Sequence, residues 1–210
     1  MPHPLDHLIY GTPDVATTVE RLAEEWGVRP AKGGQHLGRG THNALLALGD
    51  GVYLEILGPD PEQPDPEAPR WLGIDELTEE RLLTWAAKGE ELDELVVYAG
   101  THGIELGEVQ EGARRRTDGV MLTWQLTDPS EDRADGILPF FVDWGGASSP
   151  HPSENAPGGV RLLSLRAEHP HPYAVNAGLE TLEVLMPVSE GAEPALIATL
   201  ETPRGVVELR

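Results

Sequence analysis

Apolar and polar positions alternate with period two over residues 5–10, L-D-H-L-I-Y, predicting a short strand with Leu5, His7 and Ile9 on one face and Asp6, Leu8 and Tyr10 on the other. Gly11 ends it, and the spacing changes to that of a helix. Val15, Val19, Leu22 and Trp26 recur on one side, Thr12 is placed to cap, Pro13 suits the first helical position, and Gly27 with Pro30 marks the stop. Asp14 favours the positive end of the helix dipole. The Gly-rich residues 31–40, which carry Gln35 and His36, predict a short or irregular strand. Residues 41–59 follow, T-H-N-A-L-L-A-L-G-D-G-V-Y-L-E-I-L-G-P, where Asp50-Gly51 between two apolar arms predicts a β-hairpin closed by a two-residue type I′ turn.

Residues 60–69 are rich in proline and carboxylates and predict an exposed connection. Beyond them, residues 75–87 with T-E-E-R-L-L-T-W read as a helix entering a strand, and residues 90–100 carry Leu92, Leu95, Val96 and Tyr98 before G-T-H-G. Residues 107–116 and 120–126 predict a second hairpin-like pair around Thr117-Asp118-Gly119, whose D-G-V-M-L-T echoes D-G-V-Y-L-E of the first. A buried strand is expected over residues 137–144 and a second long connection over 145–159. Strands are then predicted at 160–167, 182–188, 196–202 and 206–209, with a short helix at 173–177. The two connections cut the chain into residues 1–58, 70–145 and 158–210. Each segment can be written as strand, helix and about three antiparallel strands, so a βαβββ unit is used repeatedly. The expected fold is α+β, with the modules forming a cupped mixed β-sheet flanked by helices.

Glu55 breaks the apolar pattern of the second hairpin arm, where a carboxylate costs free energy unless it is paired, ligates something or faces water. With the turn at Asp50-Gly51, paired positions sum to 101, so Leu46 faces Glu55 and His42 lies on the same side four residues along. At about 3.3 Å per residue that is roughly 13 Å, so the two hold one ion only if the register slips. Without such a slip His42 is expected at the far rim of the cup, as a polar contact to a ligand or as a surface residue.

Charge and composition narrow the partners. Fifteen basic against 36 acidic residues give a formal net charge of −21, which repels nucleic acid and anionic membranes. No cysteine is present, so disulfides and thiolate sites are excluded; a reducing, cytoplasmic setting is expected. No apolar run is long enough for a membrane span, and residues 1–7 lack the basic and apolar regions of a signal peptide. No phosphate loop, dinucleotide fingerprint, nucleophile elbow or H-E-x-x-H occurs, so no nucleotide cofactor is expected.

The stretches L-D-H-L-I-Y-G-T-P-D, G-T-H-N-A-L-L-A-L-G-D-G-V-Y-L-E-I-L-G-P and D-G-V-M-L-T-W together resemble the glyoxalase-like branch of the vicinal oxygen chelate superfamily, which includes glyoxalase I, bleomycin-resistance proteins and extradiol dioxygenases. The resemblance is best over residues 5–58, extends through Trp144, and fades over the last fifty. It implies a glyoxalase-like half-barrel over residues 1–145 built from modules 1–58 and 70–145, with residues 158–210 as a third or degenerate module. It further implies a divalent ion (zinc, nickel, iron or manganese) held by His7 from the first strand and Glu55 from the fourth, with Glu55 also able to shuttle a proton. The second module offers Thr84 and Val142 or Asp143 at the matching places, which is not a His and Glu pair. Either His36, His42, His151 or Asp143 completes the site, or the metal is lost and the cup binds an organic ligand.

Two function classes thus stand side by side: a metal-dependent lyase, isomerase or dioxygenase acting on vicinal oxygens, and a metal-free small-molecule-binding protein. Tyr53, Trp124 and Trp144 are candidate ligand contacts, and of Arg114, Arg115 and Arg116 only alternate members can point inward, with Arg115 the candidate anion contact. His151 and His171 are expected to be exposed. The sequence is compatible with a homodimer.

Overall fold

The computed structural model describes residues 2–115, 119–131, 133–145 and 151–210, the side chain of Arg115 excepted. Strand β1 (Leu5–Gly11) leads into α1 (Val15–Trp26), whose buried side is Val15, Thr18, Leu22 and Trp26. Asp14, not Thr12, is the N-cap. Its carboxylate accepts the Thr17 N–H at 3.0 Å, while Thr12 turns its hydroxyl to Thr18 at 2.7 Å. At the other end Gly27 adopts a left-handed φ of 77° and its N–H returns to the Ala23 carbonyl.

Next come β2 (Ala31–His36), β3 (Thr41–Gly49) and β4 (Val52–Pro59), then β5 (Arg81–Lys88), α2 (Leu92–Thr101), β6 (Gln110–Arg115), β7 (Met121–Leu126) and β8 (Phe140–Asp143). Residues 75–80 are not the helix expected there: a 3-10 segment, Trp71–Glu76, precedes β5 directly. β5 pairs with β1 on one side and β8 on the other and is buried on both faces, so its apolar run lacks the alternation that separates strand from helix. β8 is also shorter than the predicted 137–144. The turn expected at 117–119 falls largely outside the described residues.

These eight strands form one sheet in the order β2-β3-β4-β1-β5-β8-β7-β6. β1 runs parallel to β4 and β5 parallel to β8, while β1 and β5 meet antiparallel at the centre, so two strand–helix–three-strand halves are placed back to back. The sheet curls until its ends nearly meet: Arg39, just past β2, donates from Nη2 to Gln110 Oε1 on β6 at 2.5 Å. This is the α+β cupped sheet expected from the sequence.

The rest of the chain forms β9 (Arg161–His169), α3 (Pro172–Thr181), β10 (Val188–Glu190), β11 (Ala195–Thr202) and β12 (Gly205–Leu209), a second sheet ordered β10-β9-β11-β12. The strand predicted at 182–188 is reduced to its last residue and two beyond it. Leu182, Val184 and Met186 are buried there without strand pairing, apart from a single bridge of Val184 to His3.

Two apolar clusters follow from this curvature. The larger joins Leu8, Leu22, Leu54 and Trp85 to Leu196, Ala198 and Leu200 of the second sheet. The smaller, on the concave side, holds Ile9, Leu57, Ala86, Leu126, Phe140 and Val142. Alternation along β1 sorts neighbours between the two, Leu8 to one and Ile9 to the other.

Candidate functional site

His7 and Glu55 meet inside the cup. Their strands pair in parallel with His7 beside Tyr53 and Ile9 beside Glu55, which brings His7 Nε2 to 3.6 Å from Glu55 Oε2. Both are buried, at 4% and 7% exposure. Tyr53 stacks on the His7 ring, centroids 4.6 Å apart, and Phe140 meets its edge at 5.5 Å. Trp71, Trp124, Trp144 and Arg114 complete the wall of a narrow cavity of about 30 Å³. Trp124 and Trp144, with centroids 5.2 Å apart, also line an outer cleft of about 520 Å³.

The other oxygen of Glu55 is held by a residue that the sequence did not single out. Asn43 Nδ2 donates to Glu55 Oε1 at 2.7 Å and to His36 Nε2 at 3.3 Å, while Asn43 Oδ1 accepts the Gly34 N–H at 2.9 Å. His36 Nδ1 bonds Thr41 Oγ1 at 3.0 Å. With Nε2 accepting from Asn43, the His36 proton belongs on Nδ1 and the ring is neutral. Burial pushes the His36 imidazole below its ordinary value, Glu55 opposing this and Arg114 adding to it.

A one-residue shift explains why Asn43 and not His42 is here. The hairpin turn is as predicted, with φ positive at Asp50 and Gly51 (50° and 72°). A bulge between Ala47 and Gly49, however, changes the register so that Leu45, not Leu46, faces Glu55. Such a slip reverses every side chain farther along the strand. Asn43 turns into the cup. His42 pairs with Gly58 on the opposite face, so it is not among the residues that line the cavity.

Behind His7 stands Asp6, fully buried at 0% exposure. Strict alternation places it on the opposite face, but β1 is bulged against β5 between Leu5 and His7. Its carboxylate reaches His7 Nδ1 at 2.6 Å, His151 Nε2 at 2.9 Å and the Trp144 Nε1–H at 3.2 Å. Burial alone raises the Asp6 value, yet the bonds from His151 and His7 outweigh it and hold the carboxyl at about 2. His151, expected to be exposed, is therefore drawn in, and the Ser153 N–H caps its other nitrogen at 3.3 Å. Tyr53, beside these carboxylates, has its phenol raised well above its ordinary value, first by burial and then by Asp6 and Glu55.

The cavity thus gathers His7, Glu55, Tyr53, Trp124 and Trp144 from the predicted set together with His36, one of the candidates to complete the site, leaves His42 outside, and adds Asn43. Arg115 has its side chain outside the described residues, while its neighbour Arg114 lines the cavity at 5% exposure. The donor set does not suit a divalent ion. His7 presents Nε2, but Asn43 occupies one Glu55 oxygen and also bonds the free His36 nitrogen. Of the other side chains that line the cavity, Phe140 and Val142 supply no ligand atom. Among the described residues no three His, Asp or Glu side chains are arranged to hold a metal, and two donors fall short of the three protein ligands of a catalytic zinc site.

The glyoxalase-like domain family model matches residues 5–183, and the chain belongs to that family. The fold is that of the vicinal oxygen chelate proteins. A hypothetical protein from Staphylococcus aureus superimposes with a TM-score of 0.67 at 12% identity, over 99% of this chain and 98% of that one. A Streptomyces coelicolor methylmalonyl-CoA epimerase variant in complex with 2-nitronate-propionyl-CoA gives 0.46 at 22% identity, over 71% and 100%. Methylmalonyl-CoA epimerase from Mycobacterium tuberculosis gives 0.43 at 19%, over 67% and 87%. No curated protein matches the chain. Among the described residues no helix is long and apolar enough to cross a membrane.

Proposed function

We propose that this chain is a small-molecule enzyme of the glyoxalase-like family that moves a proton on a carbonyl compound with vicinal oxygens, using His7 and Glu55 in place of a four-ligand metal centre. The observation that carries this is the 3.6 Å approach of His7 Nε2 to Glu55 Oε2 in a buried, aromatic-lined cavity. Both groups exchange protons, both face the same space, and the rest of the wall is aromatic and aliphatic apart from His36, Asn43 and Arg114. In such a site a carboxylate and an imidazole can take a proton from a carbon next to a carbonyl and return it. The aromatic rings of Tyr53, Phe140 and Trp124 exclude water and hold the carbon skeleton flat.

The test is deuterium uptake. A panel of 2-hydroxy and 2-oxo carbonyl compounds is incubated with the protein in D₂O, and exchange at the adjacent carbon is followed by NMR. Exchange that survives chelator and falls by about 10²-fold or more in Glu55→Gln and in His7→Ala is the expected outcome. Exchange restored only by a stoichiometric divalent ion overturns the proposal. A compound that binds without exchanging points instead to the sequestration reading.

A further inference from the structure

We propose that Asp6 is the positioning residue of the site, clamped by His151 and Trp144 so that His7 keeps its proton on Nδ1 and aims the Nε2 lone pair at the cavity. Its catalytic consequence rests on the proton-transfer reading above; the geometry stands apart from it. An ionised carboxylate only accepts hydrogen bonds, so each nitrogen touching Asp6 must carry hydrogen. On Oδ1 that is His7 Nδ1, at 2.6 Å. On Oδ2 they are His151 Nε2 at 2.9 Å and Trp144 Nε1 at 3.2 Å. The tautomer of His151 agrees, because its Nδ1 accepts from the Ser153 N–H. In its neutral form the His7 ring then has a single lone pair, on Nε2, and that atom lies 3.6 Å from Glu55.

The chain invests structure in this arrangement. The β1 bulge turns Asp6 toward His7, and the two clamping side chains come from more than a hundred residues away. His151 is itself seated by Tyr53 and Trp144, ring centroids 5.6 and 5.5 Å away. The segment that carries it is tied down where the Ala47 N–H donates to the Pro157 carbonyl at 2.9 Å. In the proton step, the substrate C–H bond breaks, its electron pair delocalises into the neighbouring carbonyl, and the proton goes to His7 Nε2. The imidazolium that forms keeps its Nδ1–H on Asp6, whose charge stabilises it.

Asp6→Asn separates this role from simple packing. The amide has one acceptor oxygen, and two donors, His151 and Trp144, hold it on their side. Its NH₂ then faces His7 Nδ1, which must become an acceptor, so the His7 proton moves to Nε2 and the lone pair leaves the cavity. Long-range ¹H–¹⁵N spectra of the full chain at neutral pH read the tautomer directly. The expected result is an Nδ1–H His7 in the wild type, an Nε2–H His7 in Asp6→Asn, and a fall in deuterium uptake of about 10²-fold or more in kcat with KM little changed. A wild-type His7 carrying its neutral proton on Nε2 overturns the proposal, whether or not Asp6→Asn folds. So does a folded Asp6→Asn with unchanged uptake. A wild type with the expected tautomer and no uptake on any compound that binds upholds the positioning of His7 and sinks the enzymatic reading instead.

Discussion

Asn43 joins two buried groups that water does not reach. Its amide meets Glu55, His36 and the Gly34 backbone at once. Asn43→Ala leaves a carboxylate oxygen and a backbone N–H without their partner, at a cost of about 1–3 kcal/mol, and a urea titration is expected to show a lower midpoint at unchanged slope. Protons act on the same network. His36 is depressed below 6.5 in the fold, so the unfolded chain binds more protons, and stability falls as the pH drops from 6.5. The wild-type midpoint is expected to decline as the pH is lowered below about 6.5, and less so in His36→Gln; equal slopes in the two proteins refute this. Asp6 acts lower down. Held at about 2 against an ordinary 3.8, it contributes ~2 kcal/mol that is fully present above about pH 4 and lost as the pH falls through 2.

The elements whose signals are local were legible in the chain. Helix α1, the Asp50-Gly51 turn, β9 and the β11–β12 hairpin follow from capping, turn chemistry and periodicity, which act within a few residues. His7 and Glu55 were found because a polar group inside an apolar strand needs an explanation. Asn43 and Asp6 were not legible as site residues, for one physical reason: each reaches the site through a bulge, and bulges are fixed by pairing with another strand. The β2–β3 pairing is likewise irregular between Lys32 and Gln35, which lets Gly33 lie against Asn43. A Cβ on Gly33 would stand 1.9 Å from Asn43 Oδ1. Gly33→Ala must therefore displace the amide from Glu55 and is expected to lower stability by about 1–3 kcal/mol. Gly38→Ala meets nothing within 4 Å and bears only the strain of a φ of 78°, so it is the matched control. Equal thermal shifts in the two variants refute the packing account.

Across the whole molecule, the question is whether the two sheets unfold as one. The resemblance implies a half-barrel over residues 1–145 with residues 158–210 as a third or degenerate module. The apolar cluster crosses that division, because Leu196, Ala198 and Leu200 pack with Leu8, Leu54 and Trp85 on the convex side of the cup. The Leu82 N–H also donates to the Arg210 carbonyl at 2.8 Å. We propose that the C-terminal sheet folds cooperatively with the cup and supports it from behind. All five tryptophans, at positions 26, 71, 85, 124 and 144, precede the second sheet, so their fluorescence follows the cup, Trp26 and Trp85 from within the apolar cluster it shares with that sheet. Leu200→Ala removes a side chain of 0% exposure from the second sheet, at about 2–5 kcal/mol. At roughly 2–4 °C per kcal/mol for a chain of this size, the cup's tryptophans are expected to melt roughly 5–15 °C lower, together with the far-ultraviolet circular dichroism. Tryptophan melting at the wild-type temperature, with only part of the dichroism lost early, would show that the sheets unfold separately and that the cup holds its site without support from the C-terminal strands.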